Sequence, residues 1–394
     1  MSFPTVKLAD VAPAKALKRK VTDTSELVWH LNLDQVESQT GRVLKEMIAP
    51  ISEAGNSTHW FDERHVLYSK LRPYLNKVVL PEKEGIATTE LVPMLPDPER
   101  LDRKYLAHYL RSEGFVSWVS SQVAGAKMPR VAMKVFWDHE IPLPPLAEQK
   151  RIAAILDKAD ALRRKRQQAI ELADQFMHSV FLDMFGDPVT NSKGWNELPL
   201  SEGVASIESG WSANGDSAPA SGEQLGVLKI SSVTSGVFQA AENKAVEVSS
   251  VPANKKLLKP RAGDLIFSRA NTRELVAATA LVDKDYDNLF LPDKLWRIKT
   301  NEKLLSEYLH YLLKHPKMRD RLTSQATGTS GSMLNISKKK FEETLAFFPL
   351  VSEQEKFAKI FFHVNKMHEL NRKKAEGIEG LFLSLSQRAF SGQL

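Results

Sequence analysis

The sequence of 394 residues contains no cysteine. Disulfide bonds and thiolate metal sites are therefore excluded, and a reducing environment such as the cytoplasm is expected. No segment approaches the ~18 consecutive apolar residues of a membrane span. The first residues, 1–6, lack the basic and then apolar pattern of a secretory signal. Together these features predict a cytoplasmic protein, and the length fits two or three domains.

Motifs of catalysis are also missing. There is no phosphate-binding loop of the Walker type, no GxGxxG, no nucleophile elbow and no aminomethyltransferase motif. The ten histidines show neither HxxxH nor HExxH spacing, so a histidine metal site is not expected. A nuclease-like trio of Asp97, Asp102 and Lys104 is present, but its spacing is too short to indicate a nuclease. The sequence therefore predicts a protein without a catalytic centre or metal of its own.

The charge balance is mildly basic, with 54 Lys and Arg residues against 48 Asp and Glu residues. Such a balance permits a polyanionic partner such as DNA without requiring one.

The most informative feature is an internal repeat. Residues 146–152 (Leu-Ala-Glu-Gln-Lys-Arg-Ile) are echoed by residues 351–357 (Val-Ser-Glu-Gln-Glu-Lys-Phe), and the two Glu-Gln pairs lie 205 positions apart. Both copies follow an apolar run that contains proline. A period of half the chain is too long for a solenoid and indicates duplication of a whole module.

A long helical pattern follows each copy, with apolar residues at alternating steps of three and four. This spacing predicts the seam of a coiled coil, and the polar residues Arg166 and Asn371 interrupt it at equivalent positions, as a register-setting device would. The predicted seam consists of Ile152, Ile155, Ala159, Leu162, Arg166, Phe176 and Val180 in the first helix and of Phe357, Ile360, Val364, Met367, Asn371, Leu381 and Leu385 in the second.

Two arrangements of these helices are possible. Each could pack separately on its own domain, or the two could pair with each other. A duplicated unit closes with pseudo-twofold symmetry when the helices run antiparallel, as in an isologous dimer. We therefore expect an α+β fold in which two globular α/β domains are separated by two long helices that form an antiparallel coiled coil.

The globular domains, called heads below, combine short strand-like runs with turn residues. The expected organisation is a first head at 1–141, a central helix at 142–186, a second head at 187–347 and a C-terminal helix at 348–394. The heads share a framework but differ in their loops, so they are expected to recognise two different things.

Both heads place basic and amide side chains where strand-like runs give way to loops. Arginine and lysine can pair with guanine, asparagine pairs with adenine, and hydroxyl groups bind phosphates. The candidate DNA-binding residues are Lys70, Arg72, Tyr74, Asn76, Lys77, Lys127 and Arg130 in the first head and Arg269, Asn271, Thr272, Arg273, Lys294, Ser330, Ser332 and Asn335 in the second.

These features together resemble the specificity subunits of type I restriction–modification systems. The resemblance covers nearly the whole chain, and its strongest part is the stretch 141–156 with its repeated Pro-Leu-Pro-Pro-Leu-x-Glu-Gln pattern. The second copy, 348–354, lacks two of the prolines. Other stretches also resemble sequence motifs of that family, namely residues 66–77, 263–269 and 389–392.

The resemblance implies a role and partners. Each head would read one half of a split double-stranded DNA sequence, and the helices would be the spacer and the docking site for two methyltransferase subunits. S-adenosylmethionine would come with those subunits, ATP and magnesium with restriction–translocase subunits, and none would bind this chain directly. The complex would methylate DNA and defend against phage.

The helix length allows a geometric expectation. The 30 residues from Ile152 to Leu182 correspond to about 45 Å, and one turn of DNA is about 34 Å. Half-sites one to one and a half turns apart are therefore expected, with the coiled-coil length setting the spacer. The alternative is a coiled-coil adaptor whose heads bind proteins, which explains the helices but explains the basic loops less well.

Overall fold

The computed structural model describes residues 3–55, 57–125, 127–215, 218–324 and 334–394. The chain forms two compact units. Unit 1 comprises Met1–Ala169 and Asn371–Leu394, and unit 2 comprises Ile170–Leu370. Each unit therefore combines one head with half of each long helix.

The head of unit 1 is built from short strands and helices. They are β1 (Thr5–Lys7), α1 (Leu8–Val11), β2 (Leu27–Leu31), β3 (Met47–Pro50), β4 (Thr58–Phe61), β5 (Val66–Ser69), β6 (Val78–Val79), β7 (Gly85–Thr88), β8 (Leu91–Met94), α2 (Arg103–Leu110), α3 (Glu113–Ser121), β9 (Val123–Ala124), β10 (Arg130–Val131), α4 (Met133–Asp138) and β11 (Glu140–Pro142), with 3₁₀ turns at Leu33–Gln35, Ile51–Glu53 and Pro73–Leu75. The first long helix is α5 (Leu146–Phe185).

Four sheets organise this head. A four-stranded sheet has the order β3-β2-β7-β4, a three-stranded sheet has the order β6-β5-β8, and β1–β11 and β9–β10 form two-stranded ribbons. Only β2 and β7 pair in parallel among these strands of the described chain. Strand β5 is buried along its whole length, as its continuous apolar run predicts.

The head of unit 2 repeats this plan. Its elements are β12 (Asn196–Pro199), β13 (Val204–Ser209), β14 (Gly226–Leu228), α6 (Ser231–Thr234), β15 (Asn243–Ala245), β16 (Leu265–Ser268), β17 (Ala270–Asn271), β18 (Thr279–Leu281), β19 (Leu289–Phe290), β20 (Leu295–Thr300), α7 (Ser306–Lys314), α8 (Pro316–Thr323), β21 (Leu334–Asn335), α9 (Lys338–Glu342) and β22 (Leu345–Phe348), with 3₁₀ turns at Leu200–Glu202 and Val248–Ser250. The second long helix is α10 (Val351–Phe390).

The sheets of unit 2 have the orders β13-β20-β16-β18 and β15-β14-β19, with β12–β22 and β17–β21 as ribbons. Strands β14 and β19 are the parallel pair here, in the place of β2 and β7. Strand β16 is buried along its length like β5. The two heads therefore share a mixed α/β framework.

The long helices contribute to the core of each unit. In unit 1, Ile152 and Leu156 of α5 and Ala389 of α10 are buried with residues of the head. In unit 2, Phe181 of α5 and Phe357 of α10 pack at 5.7 Å between ring centroids, inside the core. Fully burying one such side chain contributes about 1.5–3 kcal/mol, so the helix halves are integral parts of their units.

The helices pair antiparallel within each unit. In unit 1, Arg163 and Arg166 of α5 bond to Glu379 and Asn371 of α10. Arg151, earlier in α5, bonds to Leu394, which lies just beyond the end of α10. The residue numbers in one helix therefore rise as those in the other fall.

In unit 2 the same order holds, because Asp174 pairs with His368 and Phe185 packs on Phe357. The expectation of an antiparallel coiled coil with an internal repeat is confirmed.

Polar contacts between the helices repeat with the period of the sequence. The Arg163–Glu379 ion pair, 3.2 Å long, has a counterpart in the 3.5 Å pair of His368 and Asp174. His368 lies 205 positions after Arg163, and Asp174 lies 205 positions before Glu379. Arg166 donates from Nη1 to Oδ1 of Asn371 at 3.1 Å, so the two predicted register residues bond to each other. A polar pair of this kind favours one register of the coiled coil over its neighbours.

Four of the fourteen predicted seam residues are corrected by one helical position. Leu162, Phe176, Met367 and Leu381 are exposed by 43–64%. Their neighbours Arg163, Met177, His368 and Phe382 take the inner positions. Two of these inner residues, Arg163 and His368, are polar and pair across the helices with Glu379 and Asp174, so a search for apolar spacing passes over them.

The other seam residues lie closer to their expected positions. Ile152 and Phe357 are fully buried. Ile155, Ala159, Val180, Ile360, Val364 and Leu385 are half-buried.

Both long helices begin in the same way. Gln149, which is fully buried, donates from its side chain to the carbonyls of Arg100 and Pro144 and accepts from the amide of Asp102, all at 2.8–2.9 Å. Its repeat partner Gln354 is also fully buried. It makes the corresponding three bonds to Lys303, Pro349 and Leu305 at 2.8–3.0 Å. The repeated glutamine therefore fastens each helix to its head.

A charged contact also joins α2 to α5 in unit 1. The carboxylate of Asp157 accepts from Nε2 of His108 and from Nζ of Lys104, each at 2.8 Å. The bond to His108 is the main cause that lowers the pKa of Asp157 from its usual 3.8 to about 2.

Asp157→Asn is therefore expected to lower the free energy of unfolding near pH 6 by about 1 kcal/mol, a small value because the carboxylate is 38% exposed. Because the folded-state pKa is the lower one, the contribution is present above pH 4 and is lost as the pH falls toward 2. Urea titrations of both proteins at pH 6, 4 and 3 test this. A difference that does not change with pH would contradict it.

Within the described ranges, no helix is both long and apolar enough to cross a membrane.

Candidate nucleic-acid interface

In unit 1, several candidate DNA-binding residues meet where β5 ends. We call residues 70–77 and 127–131 the first corner. The amide of Arg72 donates to the carbonyl of Pro129 at 2.8 Å, and the amide of Val131 donates to the carbonyl of Lys70 at 3.0 Å. These bonds bring Lys70 and Arg72 beside Arg130.

The tip of the first corner has an unusual backbone. Arg72 and Asn76 flank the 3₁₀ turn Pro73–Leu75, and both have left-handed dihedrals, with φ of 48° and 51°. Such dihedrals cost energy for residues other than glycine and are maintained here by neighbouring contacts. The side chain of Gln39 donates to the carbonyl of Tyr74 at 3.0 Å. The Tyr74 side chain remains 46% exposed at the tip.

Unit 2 has an equivalent second corner, residues 269–273, 294 and 334–336. Strands β17 and β21 pair here, with Ala270 opposite Asn335, as Leu71 is opposite Arg130 in the first corner. The amide of Ile336 donates to the carbonyl of Arg269 at 2.9 Å. Arg269 therefore corresponds to Lys70, and Asn335 corresponds to Arg130.

The candidate residues differ in accessibility. Arg72, Lys127, Arg130 and Arg273 are exposed. Lys70, Arg269, Asn271, Thr272, Lys294 and Asn335 are half-buried. Ser330 and Ser332 lie outside the described residues.

Two candidates face the interior of the first head. Asn76 is buried and donates from Nδ2 to the carbonyl of Arg111 at 3.2 Å. Lys77 donates from Nζ to the carbonyl of Leu33 at 2.6 Å, and burial lowers its pKa. In the second corner, Asn271 accepts from the amide of Thr272 at 2.8 Å and so shapes the turn. These three side chains support the corners from within.

The positive charge of the first corner affects the pKa of a neighbouring histidine. Burial and, to a lesser extent, the ammonium group of Lys70 lower the pKa of His59, which lies on β4. His59 is therefore neutral at pH 7, and the positive charge of the corner comes from Lys70, Arg72, Lys127 and Arg130.

Two acidic residues that the sequence analysis missed contact the arginines of the corners. Arg130 donates from Nε and Nη2 to the two carboxylate oxygens of Glu90 at 3.2 and 2.9 Å. Arg269 donates from Nε to the carbonyl of Asp293 at 2.9 Å and from Nη2 to its carboxylate at 3.4 Å. The sequence feature that could have identified them is a lone acidic residue just before a buried strand. This strand is β8 in the first head and β20 in the second.

The nuclease-like trio has structural roles. Asp102 caps α2 by accepting from the amides of Lys104 and Tyr105, Lys104 pairs with Asp157, and Asp97 accepts from the amide of Glu99. Across the part of the chain that the structure describes, no group of three or more His, Cys, Asp or Glu residues is arranged to hold a metal ion.

Unit 1 also has two open cavities of about 700 Å³. One is lined by carboxylates and cations in equal number, including Asp10, Glu63, Arg64 and Arg103. The other lies between the start of α3 and the end of α10 and is mainly apolar, with Phe3, Tyr109 and Phe390 in its wall. Neither has the glycine-rich, phosphate-binding loop of a nucleotide cofactor site.

Comparison with known families identifies both halves of the chain. The sequence model described as "Type I restriction modification DNA specificity domain" matches residues 62–172 and 195–380. These ranges include both corners and most of both long helices.

Individual proteins agree with this match. The chain is 26% identical over 308 residues to the type I restriction enzyme EcoKI specificity subunit of Escherichia coli K12, covering 74% of this chain and 65% of that subunit. It is 26% identical over 324 residues to the MjaVIII specificity subunit of Methanocaldococcus jannaschii, covering 75% and 71%. The chain thus spans just under two thirds of the length of the Escherichia coli relative.

A solved structure shows the same fold. The S subunit of a type I restriction–modification system from M. genitalium superimposes with a TM-score of 0.62 over 99% of this chain and 96% of that one, at 15% identity.

Proposed function

Because the chain belongs to the family of type I restriction–modification DNA specificity domains, we propose that it is the DNA-recognition subunit of such a complex. Each head, 1–141 or 187–347, reads one half of a split double-stranded sequence. The observation that carries this proposal is the pair of equivalent corners with different side chains, Lys70 and Arg130 in one and Arg269 and Asn335 in the other. A common framework with different contact residues suits the reading of two different half-sites.

The exposed cations and the arginines of the corners are the proposed DNA contacts. Arg72, Lys127 and Arg273 are free to reach phosphates, and Arg130 and Arg269 can reach base edges. Tyr74 at the tip of the first corner and Lys70, Lys294, Thr272 and Asn335 complete the described set. Asn76, Lys77 and Asn271 are assigned to the support of the corners, and Ser330 and Ser332 keep their expected role.

The long helices, 142–186 and 348–394, are the proposed spacer and docking site. They carry large apolar side chains that are exposed in the isolated chain: Leu162, Leu172, Phe176, Phe362, Met367, Leu370, Leu381 and Leu383. Apolar side chains in such number on a charged helix surface favour a protein partner. We assign this surface to two methyltransferase subunits.

The proposed partners supply the chemistry. S-adenosylmethionine comes with the methyltransferase subunits, and ATP and magnesium come with restriction–translocase subunits. The chain itself has no catalytic role in this proposal, and the complex acts on DNA in the cytoplasm.

Salt dependence of DNA binding tests the role of the heads. The full chain, alone and with its methyltransferase partner, is titrated onto a mixed-sequence duplex between 50 and ~300 mM salt. A DNA reader that contacts several phosphates gives a slope of log K against log salt on the order of −5. Absence of binding at 50 mM salt by an assembled complex would contradict the proposal and favour a protein-binding adaptor.

Helix length provides a second test. The two helices are each 40 residues long, or about 60 Å. Deleting one seven-residue repeat from each removes about 10 Å, so the spacer of the methylated sequence is expected to shorten by about three base pairs at 3.4 Å each. Sequencing of methylated genomic DNA measures the spacer. An unchanged spacer in a complex that still methylates would contradict the proposal that the helices set it.

A further inference from the structure

The two corners share a feature that the DNA-reading role by itself does not require, namely a carboxylate bonded to an arginine. Glu90 immediately precedes β8, and Asp293 lies two residues before β20. Backbone bonds fasten these segments to the corners. The amide of Lys70 donates to the carbonyl of Glu90 at 3.0 Å, and the amide of Arg269 donates to the carbonyl of Lys294 at 3.1 Å.

Both arginines use the same edge of the guanidinium group for this contact. Nε and Nη2 of Arg130 bond to the carboxylate of Glu90. Nε of Arg269 bonds to the backbone carbonyl of Asp293, and its Nη2 reaches the Asp293 carboxylate at 3.4 Å. The Nη1 group of Arg130 makes one long contact, 3.5 Å to the carbonyl of Met128. Within the described chain, Nη1 of Arg269 has no hydrogen bond. The edge formed by Nη1 and Nη2 therefore remains for another partner in both corners.

The carboxylates are themselves held in place. Glu90 is only 22% exposed, beside an Arg130 side chain that is 44% exposed. Asp293 accepts a hydrogen bond from the hydroxyl of Ser212, and its amide donates back to that hydroxyl at 3.3 Å. In the first corner the arginine is therefore more exposed than the carboxylate behind it. In the second corner the Arg269 side chain is 29% exposed and the Asp293 side chain is 45% exposed.

Both corners have an arginine–carboxylate pair, although the arginine stands at a different position of the framework in each corner. In the first corner the arginine stands at the position of Asn335, and in the second it stands at the position of Lys70. In each case a carboxylate from the segment before the neighbouring strand reaches the same guanidinium edge. A shared framework alone does not explain this, because the bonded residues are not at equivalent positions.

The chemistry of the free edge indicates its target. An unpaired arginine binds phosphates at any sequence. An arginine neutralised by a carboxylate gains less from a phosphate, whereas its fixed edge of two N–H donors matches two adjacent acceptors. Guanine offers O6 and N7 in that geometry, and this is the commonest specific arginine contact.

We propose that Glu90 and Asp293 are positioning residues that hold Arg130 and Arg269 for two-point recognition of one guanine in each half-site. This inference rests on the proposed DNA-reading function. The carboxylates raise the discrimination of each head against other bases and reduce its affinity for unrelated DNA.

The test uses the full complex and measures recognition of both half-sites of the DNA sequence at once. The chain is co-expressed with its methyltransferase partner, and methylated adenines are mapped across the host genome for the wild type, Glu90→Gln and Asp293→Asn. Glu90→Gln is expected to relax one guanine position of the first half-site on the order of 5- to 100-fold and to leave the second half unchanged. Asp293→Asn is expected to do the reverse.

Three further variants separate positioning from stability. Arg130→Lys keeps the charge but loses the two-donor edge, so it is expected to relax the same base as Glu90→Gln. Arg269→Lys is its counterpart in the second head. Glu46→Gln removes an exposed carboxylate that pairs with Lys83 in the same head, and it should change neither half.

The outcomes are distinct. Relaxation at one guanine, with tighter binding to an unrelated duplex, supports the inference, whereas a merely structural role would reduce methylation at all sites together. Half-sites without guanine on either strand, or unchanged discrimination in all four corner variants, would overturn it. A wild-type complex that produces no split motif would instead contradict the proposed function.

Discussion

Replacing Gln149 by leucine is expected to lower the free energy of unfolding of unit 1 by roughly 3–6 kcal/mol. The buried amide makes three hydrogen bonds, and the substitution leaves the amide of Asp102 and the carbonyls of Arg100 and Pro144 without that partner. Each buried polar group left unsatisfied costs about 1–3 kcal/mol. Two of the three bonds are only partly buried, so the lower part of the summed range is expected. Urea denaturation followed by circular dichroism measures the change.

The repeat supplies a matched comparison. Gln354→Leu removes the same three bonds in unit 2 and is expected to cost a similar amount there. Gln168→Leu, at an exposed position on the same helix as Gln149, is expected to change the free energy by less than about 0.5 kcal/mol. If Gln149→Leu were as mild as Gln168→Leu, the glutamine would not fasten the helix to its head.

Replacing Gly41 by alanine is expected to destabilise the first head by roughly 3 kcal/mol and to weaken its DNA reading. Gly41 has a φ of +69°, and a Cβ atom would lie 1.9 Å from the backbone oxygen of Val78. The turn must therefore move, and it carries Gln39, which bonds to the carbonyl of Tyr74 in the first corner. Thermal unfolding measures stability, and methylation mapping measures the fidelity of each half-site.

Gly55→Ala is the control, because a Cβ there meets nothing within 4 Å and the glycine has no positive φ. We expect Gly41→Ala to relax the first half-site while the second remains intact, and Gly55→Ala to do neither. Equal melting temperatures for the two variants would show that the turn accommodates the side chain and that the predicted coupling to Tyr74 is wrong.

The repeat made the fold predictable. Duplicated Glu-Gln pairs followed by long amphipathic patterns indicated two equivalent helices, and the helices do begin just before Gln149 and Gln354. What the pattern could not show is why glutamine recurs. The reason is that two of the three bonds of each glutamine reach a segment 47–51 residues earlier, which only the folded chain brings together.

The seam shows where periodicity fails. Spacing rules follow apolar residues, but some of the inner contacts are polar, as in Arg163 with Glu379 and Asp174 with His368. Such pairs satisfy each other only across two helices, so neither sequence segment reveals them alone. The apolar residues that were assigned to the seam, such as Phe176 and Met367, remain exposed for a partner.

The candidate interface was predictable by region and not by residue. Loop positions in the sequence pointed to two regions, and the structure brings several cations together in each of them. The sequence does not show that Asn76 turns inward, since this follows from a left-handed backbone supported by Arg111. Glu90 and Asp293 were missed because a carboxylate contradicts the simple expectation of a basic DNA-binding surface.

Mapping adenine methylation by the wild-type complex tests the central claim most directly. The chain is co-expressed with its methyltransferase partner in a host without other methylation systems, and the genome is sequenced with long reads. We expect one split motif, with two short defined halves around a fixed unspecified spacer. No sequence-specific methylation, from a complex shown to assemble and to bind S-adenosylmethionine, would contradict it.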